Sequence, residues 1–201
     1  MPSTHARDNE AAGLVPTRTR AAGTSAAPDA VALSTRAERM LASGDWLLSS
    51  APIQAQAKTE WDENGAAWLR PGVLFTAVVI RAAVVHAATG FDCPEACAPA
   101  LADVLEGGPL FYNPVGFGPE GSYTALLPAR VAQLPPMPGT VRHAQRALLL
   151  VPAPNATERT EGAPWWVSPL DGPGLLCPPG RIAVLAAFGR DALHAEERPD
   201  A

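Results

Sequence analysis

The chain has 201 residues, enough for one domain with a real core or one domain with tails, which excludes a multi-domain machine. Hydrophobic residues supply 47% and charged residues only 17%, which argues against wholesale disorder, while 22 prolines and 17 glycines demand short elements and many turns. A formal charge of −5, with Lys58 the one lysine beside fourteen arginines, leaves no overall positive field to hold nucleic-acid backbones non-specifically.

Residues 1–28 are mostly Ala, Thr, Ser, Pro and Arg without periodicity. They carry too little apolar surface to offset chain entropy and are expected to be a disordered tail. Asp29 is placed to cap a first helix in which Leu33, Ala37, Met40 and Leu41 share a face and Gly44 ends the run. A second helix is expected from Pro52, with Ile53, Ala57 and Trp61 at four-residue intervals before Asn64-Gly65. After Arg70-Pro71-Gly72, residues 73–80 are apolar at odd and even positions alike, as in a central strand covered on both faces. That strand passes directly into a helix ending at Gly90, with Val84, Val85 and Ala88 inward and His86 on the opposite, solvated side. Cys93-Pro94 and Pro99 break the following stretch, so a short helix is expected to start at Pro99 with Leu101, Val104 and Leu105 inward.

Residues 110–115, a loop over 116–121 and residues 122–127 read as a β-hairpin. A Pro-rich, irregular connection is expected over 128–146, strands over 148–151 and 165–168, and a final helix from about Arg181 to His194 with a charged tail over 195–201. The expected fold is therefore a single α+β domain over residues 29–194, with a mixed or antiparallel sheet flanked by helices.

Compartment follows from what is missing. The first thirty residues show no apolar run of signal-peptide length, and the most apolar stretch, 73–88, is interrupted by Arg81 and His86 and falls short of the about 20 residues needed to cross a bilayer. A cytoplasmic protein with no membrane partner is expected. Cys93, Cys97 and Cys177 cannot all pair and read as thiols in a reducing compartment.

Several motifs invite chemistry. Gly116-Phe117-Gly118-Pro119-Glu120-Gly121 matches the spacing of a phosphate-binding loop, but a strand follows where the dinucleotide motif needs a helix. A kinase-type reading lacks its lysine and catalytic motifs, and Glu120 would repel phosphate, so the segment reads as a turn. Cys93 and Cys97 with His86 and Cys177 lack the tight second ligand pair of a zinc site, and burial is the leading reading of these thiols. His143 stands beside Arg142 and Arg146, a local basic cluster that is able to meet an anion but reads first as a solvated loop. Trp165-Trp166 places one indole on each face of a strand, one for the core and the other able to stack on a base, sugar or partner, with core packing alone the leading reading.

Trp68-Leu69-Arg70-Pro71-Gly72, Ala77-Val78, Val85-His86-Ala87-Ala88, Leu105-Glu106-Gly107-Gly108-Pro109, Leu127-Pro128 and Trp166-Val167-x-Pro169 with Asp171-Gly172-Pro173-Gly174 together carry a resemblance. Over roughly residues 45–190 the chain resembles a group of small actinobacterial proteins, themselves similar to shortened relatives of the N-terminal domain of bacterial primase-polymerases. The resemblance implies that fold. Polymerase chemistry would need paired carboxylates on a strand to hold two metal ions, and residues 73–80 contain no acid.

The expectation is thus a non-catalytic, cytoplasmic protein-interaction or regulatory module with no cofactor, no metal and no catalytic residue. Its binding surface would draw on Arg81, Tyr112, Tyr123, Arg142, Arg146 and Trp166. The alternative is a nucleotide or nucleic-acid binder that meets phosphate through Arg81, Arg142 and Arg146. An enzyme using Cys97 or His86 comes third.

Overall fold

The computed structural model describes residues 35–145 and 147–196. The expected N-terminal tail, the proposed cap Asp29 and Leu33 lie outside the described residues, as do Arg146 and residues 197–201.

The first helix, α1 (Arg36–Leu48), is capped by Thr35, whose hydroxyl accepts from the Glu38 N–H while the Glu38 carboxylate accepts from the Thr35 N–H. This reciprocal pair satisfies two orphan donors and sets the helix start six residues past Asp29. Gly44 does not end α1 but lies buried inside it, where a Cβ would meet the Pro154 ring at 3.2 Å; it is a close-approach residue. Helix α2 (Gln54–Asn64) ends at Gly65, whose φ of 70° is the left-handed conformation that lets a chain leave a helix. Strand β1 (Ala66–Leu69), absent from the expected elements, follows at once.

Strand β2 (Phe75–Arg81) runs straight into α3 (Ala82–Thr89), which Gly90 closes at φ 74°. Helix α4 (Pro94–Val104) begins five residues earlier than expected. Pro94 occupies the first turn, where a missing N–H costs nothing, and Pro99 is tolerated on the exposed face, where water can take the freed carbonyl. The hairpin forms as expected from β3 (Leu110–Asn113) and β4 (Ser122–Pro128). The supposedly irregular connection holds a 3-10 turn over Ala129–Gln133 and the short strand β5 (Val141–Arg142). Strands β6 (Leu149–Pro152) and β7 (Trp165–Ser168) precede α5 (Pro179–Glu196), which extends past His194 into the expected tail.

All strand pairs are antiparallel. Five strands form one sheet in the order β5-β2-β4-β3-β7, and β1 pairs with β6 in a separate ribbon. Side-chain alternation gives the main sheet two apolar faces. Val78, Ile80, Tyr123, Ala125 and Leu110 face one core with residues of α3, α4 and α5. Phe75, Ala77, Leu126, Phe111 and Trp166 face the other, closed by α1, α2 and the β1–β6 ribbon. Both faces of β2 are covered, as its apolar run requires. Among the described residues no helix is long and apolar enough to cross a membrane.

Candidate functional site

On the α3–α4–α5 side, an open cleft of about 950 Å³ lies where the helices leave part of the sheet uncovered. Its sheet residues are Tyr112 of β3 and Trp165 of β7, packed at a ring separation of 4.8 Å. Helix α3 contributes His86, the α3–α4 link contributes Phe91, Asp92 and Cys93, and α5 contributes Leu193. The β3–β4 loop adds Glu120, and the β6–β7 connection adds Arg159.

The glycine-rich loop is built for its own geometry. Asn113 accepts from the Val115 N–H, Ser122 accepts from the Phe117 N–H, and the Tyr112 hydroxyl donates to the Glu120 carbonyl. Gly121 has φ 80°, and a Cβ there would lie 2.6 Å from the Asn113 carbonyl oxygen, so only glycine fits. With Ser122 and Tyr112 occupied in this way, the loop is a turn that presents Glu120 to the cleft.

His86 is half-buried rather than solvated, because α3 lies against the sheet and brings its Nε2 to 3.1 Å from the Tyr123 hydroxyl. Burial lowers its pKa, opposed by the negative charges of Glu120 and Asp92, so the imidazole is neutral at pH 7. Tyr123 is fully buried, and burial, followed by the neighbouring Cys97, holds its hydroxyl far above the ordinary phenol range. Cys97 is buried beside the Thr89 hydroxyl at 3.1 Å. The polar string thus leads from the cleft into the core and ends on a buried thiol. No hydrogen bond joins Cys93, the one half-exposed cysteine, to His86. A base-activated nucleophile would need that contact.

The expected surface residues separate. Tyr112 lines the cleft. Tyr123 and Trp166 do not form a surface: Tyr123 packs under α3, and Trp166 faces the opposite core, edge-on to Phe111 and donating to the Ala153 carbonyl. Alternation does put the two tryptophans on opposite faces, but α4 and Tyr112 pack on the outer one, so neither indole is exposed. Arg142 is turned inward to the carbonyls of Ala132 and Leu134, which removes it from any phosphate site. Arg81 is exposed at the β2–α3 junction, about 10 Å along the sheet from Arg142 at strand spacing. His143 contacts the Ala147 carbonyl within its own loop. Cys177 donates to the Pro109 carbonyl, and burial pushes its thiol up to about 12. Among the described residues no three His, Cys, Asp or Glu side chains gather as a metal group.

One donor stands apart. Of the three buried tryptophans, Trp61 donates its indole N–H to the Val151 carbonyl and Trp166 to that of Ala153, but Trp165, 4% exposed, has no acceptor among the described residues. Among the described residues the one enclosed side-chain polar atom without a partner is Thr76 Oγ1, so the Trp165 N–H is not sealed from solvent, and Trp165 lines both the cleft and a second cavity. The sequence left open which of the two indoles would be free, and the expected surface included Trp166; Phe91, Asp92 and Arg159 carried no signal, being brought together only by tertiary packing. No family model, curated protein or solved structure matches the chain.

Proposed function

We propose that the chain is a non-catalytic, cytoplasmic protein-interaction module on a primase-polymerase-like α+β scaffold, with the cleft as the docking site for a peptide segment of its partner. The observation that carries this reading is the buried Trp165 indole, whose N–H meets no acceptor among the described residues and whose ring lines a cleft of about 950 Å³. A buried donor left to water gains when a ligand carbonyl replaces that water, and peptides supply carbonyls at every residue. The volume lies within the range of about 300–1,000 Å³ common to ligand sites. Asp92 and Glu120 disfavour phosphate there, and Arg81 and Arg142 do not converge, which weighs against the nucleic-acid reading.

The test is a random-peptide display selection on the purified full chain. Enriched peptides are expected to bind the wild type and lose binding to Ala87→Trp, which fills the cleft from α3, while keeping it for Val184→Trp on the far, exposed face of α5. Circular dichroism establishes that both variants are folded. Enriched peptides indifferent to Ala87→Trp, or no enrichment beside tight binding of single-stranded DNA, would overturn the reading.

A further inference from the structure

The charges around the cleft are unevenly placed. Asp92 and Glu120 are the charged groups felt by His86, whereas Tyr112 feels Arg159 as well as Glu120 and Glu95. Asp92 therefore borders the α3 end and Glu120 lies between His86 and Tyr112, while Arg159 lies toward Tyr112 and also lines a neighbouring cavity of about 480 Å³ with Trp165. The described ion pairs, Arg39–Asp171, Arg181–Glu106 and Arg190–Asp191, involve none of these groups. Asp92, Glu120 and Arg159 are all exposed and have no ion-pair partner among the described residues. Among the described residues lining this cleft, Arg159 is the one Lys or Arg beside the two carboxylates. Phe91, 46% exposed, borders the α3 end and offers a ring face to a cation.

Resting on the docking reading above, we propose that the peptide taken by the cleft carries a basic side chain: its guanidinium or ammonium group lies between Asp92 and Glu120 beside Phe91, while one of its backbone carbonyls accepts from the Trp165 indole. The two contacts are independent. The indole donor calls for a carbonyl in any peptide, and the carboxylate pair calls for a cation on one side chain. Arginine fits best, because its planar fork can engage a carboxylate with two donors and stack on an aromatic ring, whereas lysine brings a point charge.

The test uses heptapeptides drawn from the display selection, synthesised with arginine, lysine, citrulline or glutamate at the enriched basic position and titrated calorimetrically into the full chain. Citrulline keeps the planar shape of arginine but is uncharged, with a carbonyl oxygen in place of one guanidinium nitrogen. A preference of about tenfold or more for arginine over citrulline is expected, the loss of one charge-assisted contact, with glutamate weakest. Asp92→Asn together with Glu120→Gln is expected to abolish the arginine preference, so that arginine and citrulline peptides bind alike; both sites are exposed, so the fold tolerates the changes. Peptides blocked by Ala87→Trp that bind equally with arginine and citrulline would refute the basic side chain and leave the docking reading standing. A selection that yields no peptide sensitive to Ala87→Trp would remove both. An oligonucleotide displacing the arginine peptide from the wild type but not binding the double variant would also overturn the proposal, since removing acids should favour phosphate.

Discussion

Gly189→Ala tests the packing that forms the cleft. Gly189 lies in α5 directly against α3: a Cβ there would sit 1.9 Å from the Val84 carbonyl oxygen, 2.9 Å from its carbon and 3.1 Å from the Ala88 Cβ. Close C–H···O contacts have C···O distances of about 3.3 Å, so the helices must part by about 1.4 Å or the Val84 carbonyl must leave its helical bond. The obstacle is backbone, which cannot swing aside. Overpacking at such a point costs about 3 kcal/mol, and alanine recovers about 1 kcal/mol of helix propensity over glycine. The net loss is about 2 kcal/mol, or a fall in Tm of about 4–8 °C for a domain of this size. Thermal unfolding followed by circular dichroism at pH 7.5 reads it directly. Leu193 lies one turn beyond Gly189 and His86 two residues beyond Val84, so parted helices also widen the cleft and weaken peptide binding. An unchanged or raised Tm would refute the reasoning, since it would show that α5 has room at Gly189 and that propensity alone decides the sign.

Three further outcomes follow from other parts of the molecule. Thr76→Val exchanges a fully buried, unpartnered hydroxyl for a methyl and is expected to stabilise by about 1 kcal/mol, seen as a higher urea midpoint at unchanged slope; a lower midpoint would mean that the hydroxyl has a partner. His86 has a folded pKa below its ordinary 6.5, so the unfolded chain takes up a proton that the folded chain refuses as pH falls. Its contribution is complete above 6.5 and is lost as pH falls through the lowered folded value; Tm measured from pH 7.5 to 5 should fall more steeply for wild type than for His86→Gln, and an NMR titration midpoint above 6.5 would contradict this. The strand Phe75–Arg81 carries no acid, so the protein with Mg²⁺ or Mn²⁺, primed template and nucleotides is expected to extend nothing, and templated synthesis would refute the non-catalytic reading.

Elements with a strong local signal are legible in the chain. Gly65 and Gly90 both mark helix ends because each needs a positive φ there, and the unbroken apolar run of β2 announces a strand with two covered faces. Elements fixed by distant partners are not. Strand β1 reads Ala-Ala-Trp-Leu, four residues with no β-branched side chain, and exists through its ladder with β6 about eighty residues on. Gly44 looks like a stop until Pro154 is seen against it, and Pro99 looks like a start until Pro94 is seen to open the helix. The cleft shows the same division. Period-two alternation puts Trp165 and Trp166 on opposite faces, but which indole keeps a free donor depends on where the Ala153 carbonyl falls. Likewise Arg142 reads as a surface cation, and only the turn over Ala129–Gln133 shows that its guanidinium binds backbone.

The docking role of the cleft is tested most directly by the five indole N–H resonances of the ¹⁵N-labelled chain, at positions 46, 61, 68, 165 and 166. In the free protein the Trp165 N–H should exchange with water faster than those of Trp61 and Trp166, which donate to carbonyls. On titration with a display-selected arginine peptide, the Trp165 resonance should shift downfield and become protected while those of Trp61 and Trp166 stay in place. A Trp165 N–H already protected in the free protein, or unmoved at peptide saturation, would contradict the assignment of the cleft as a peptide site.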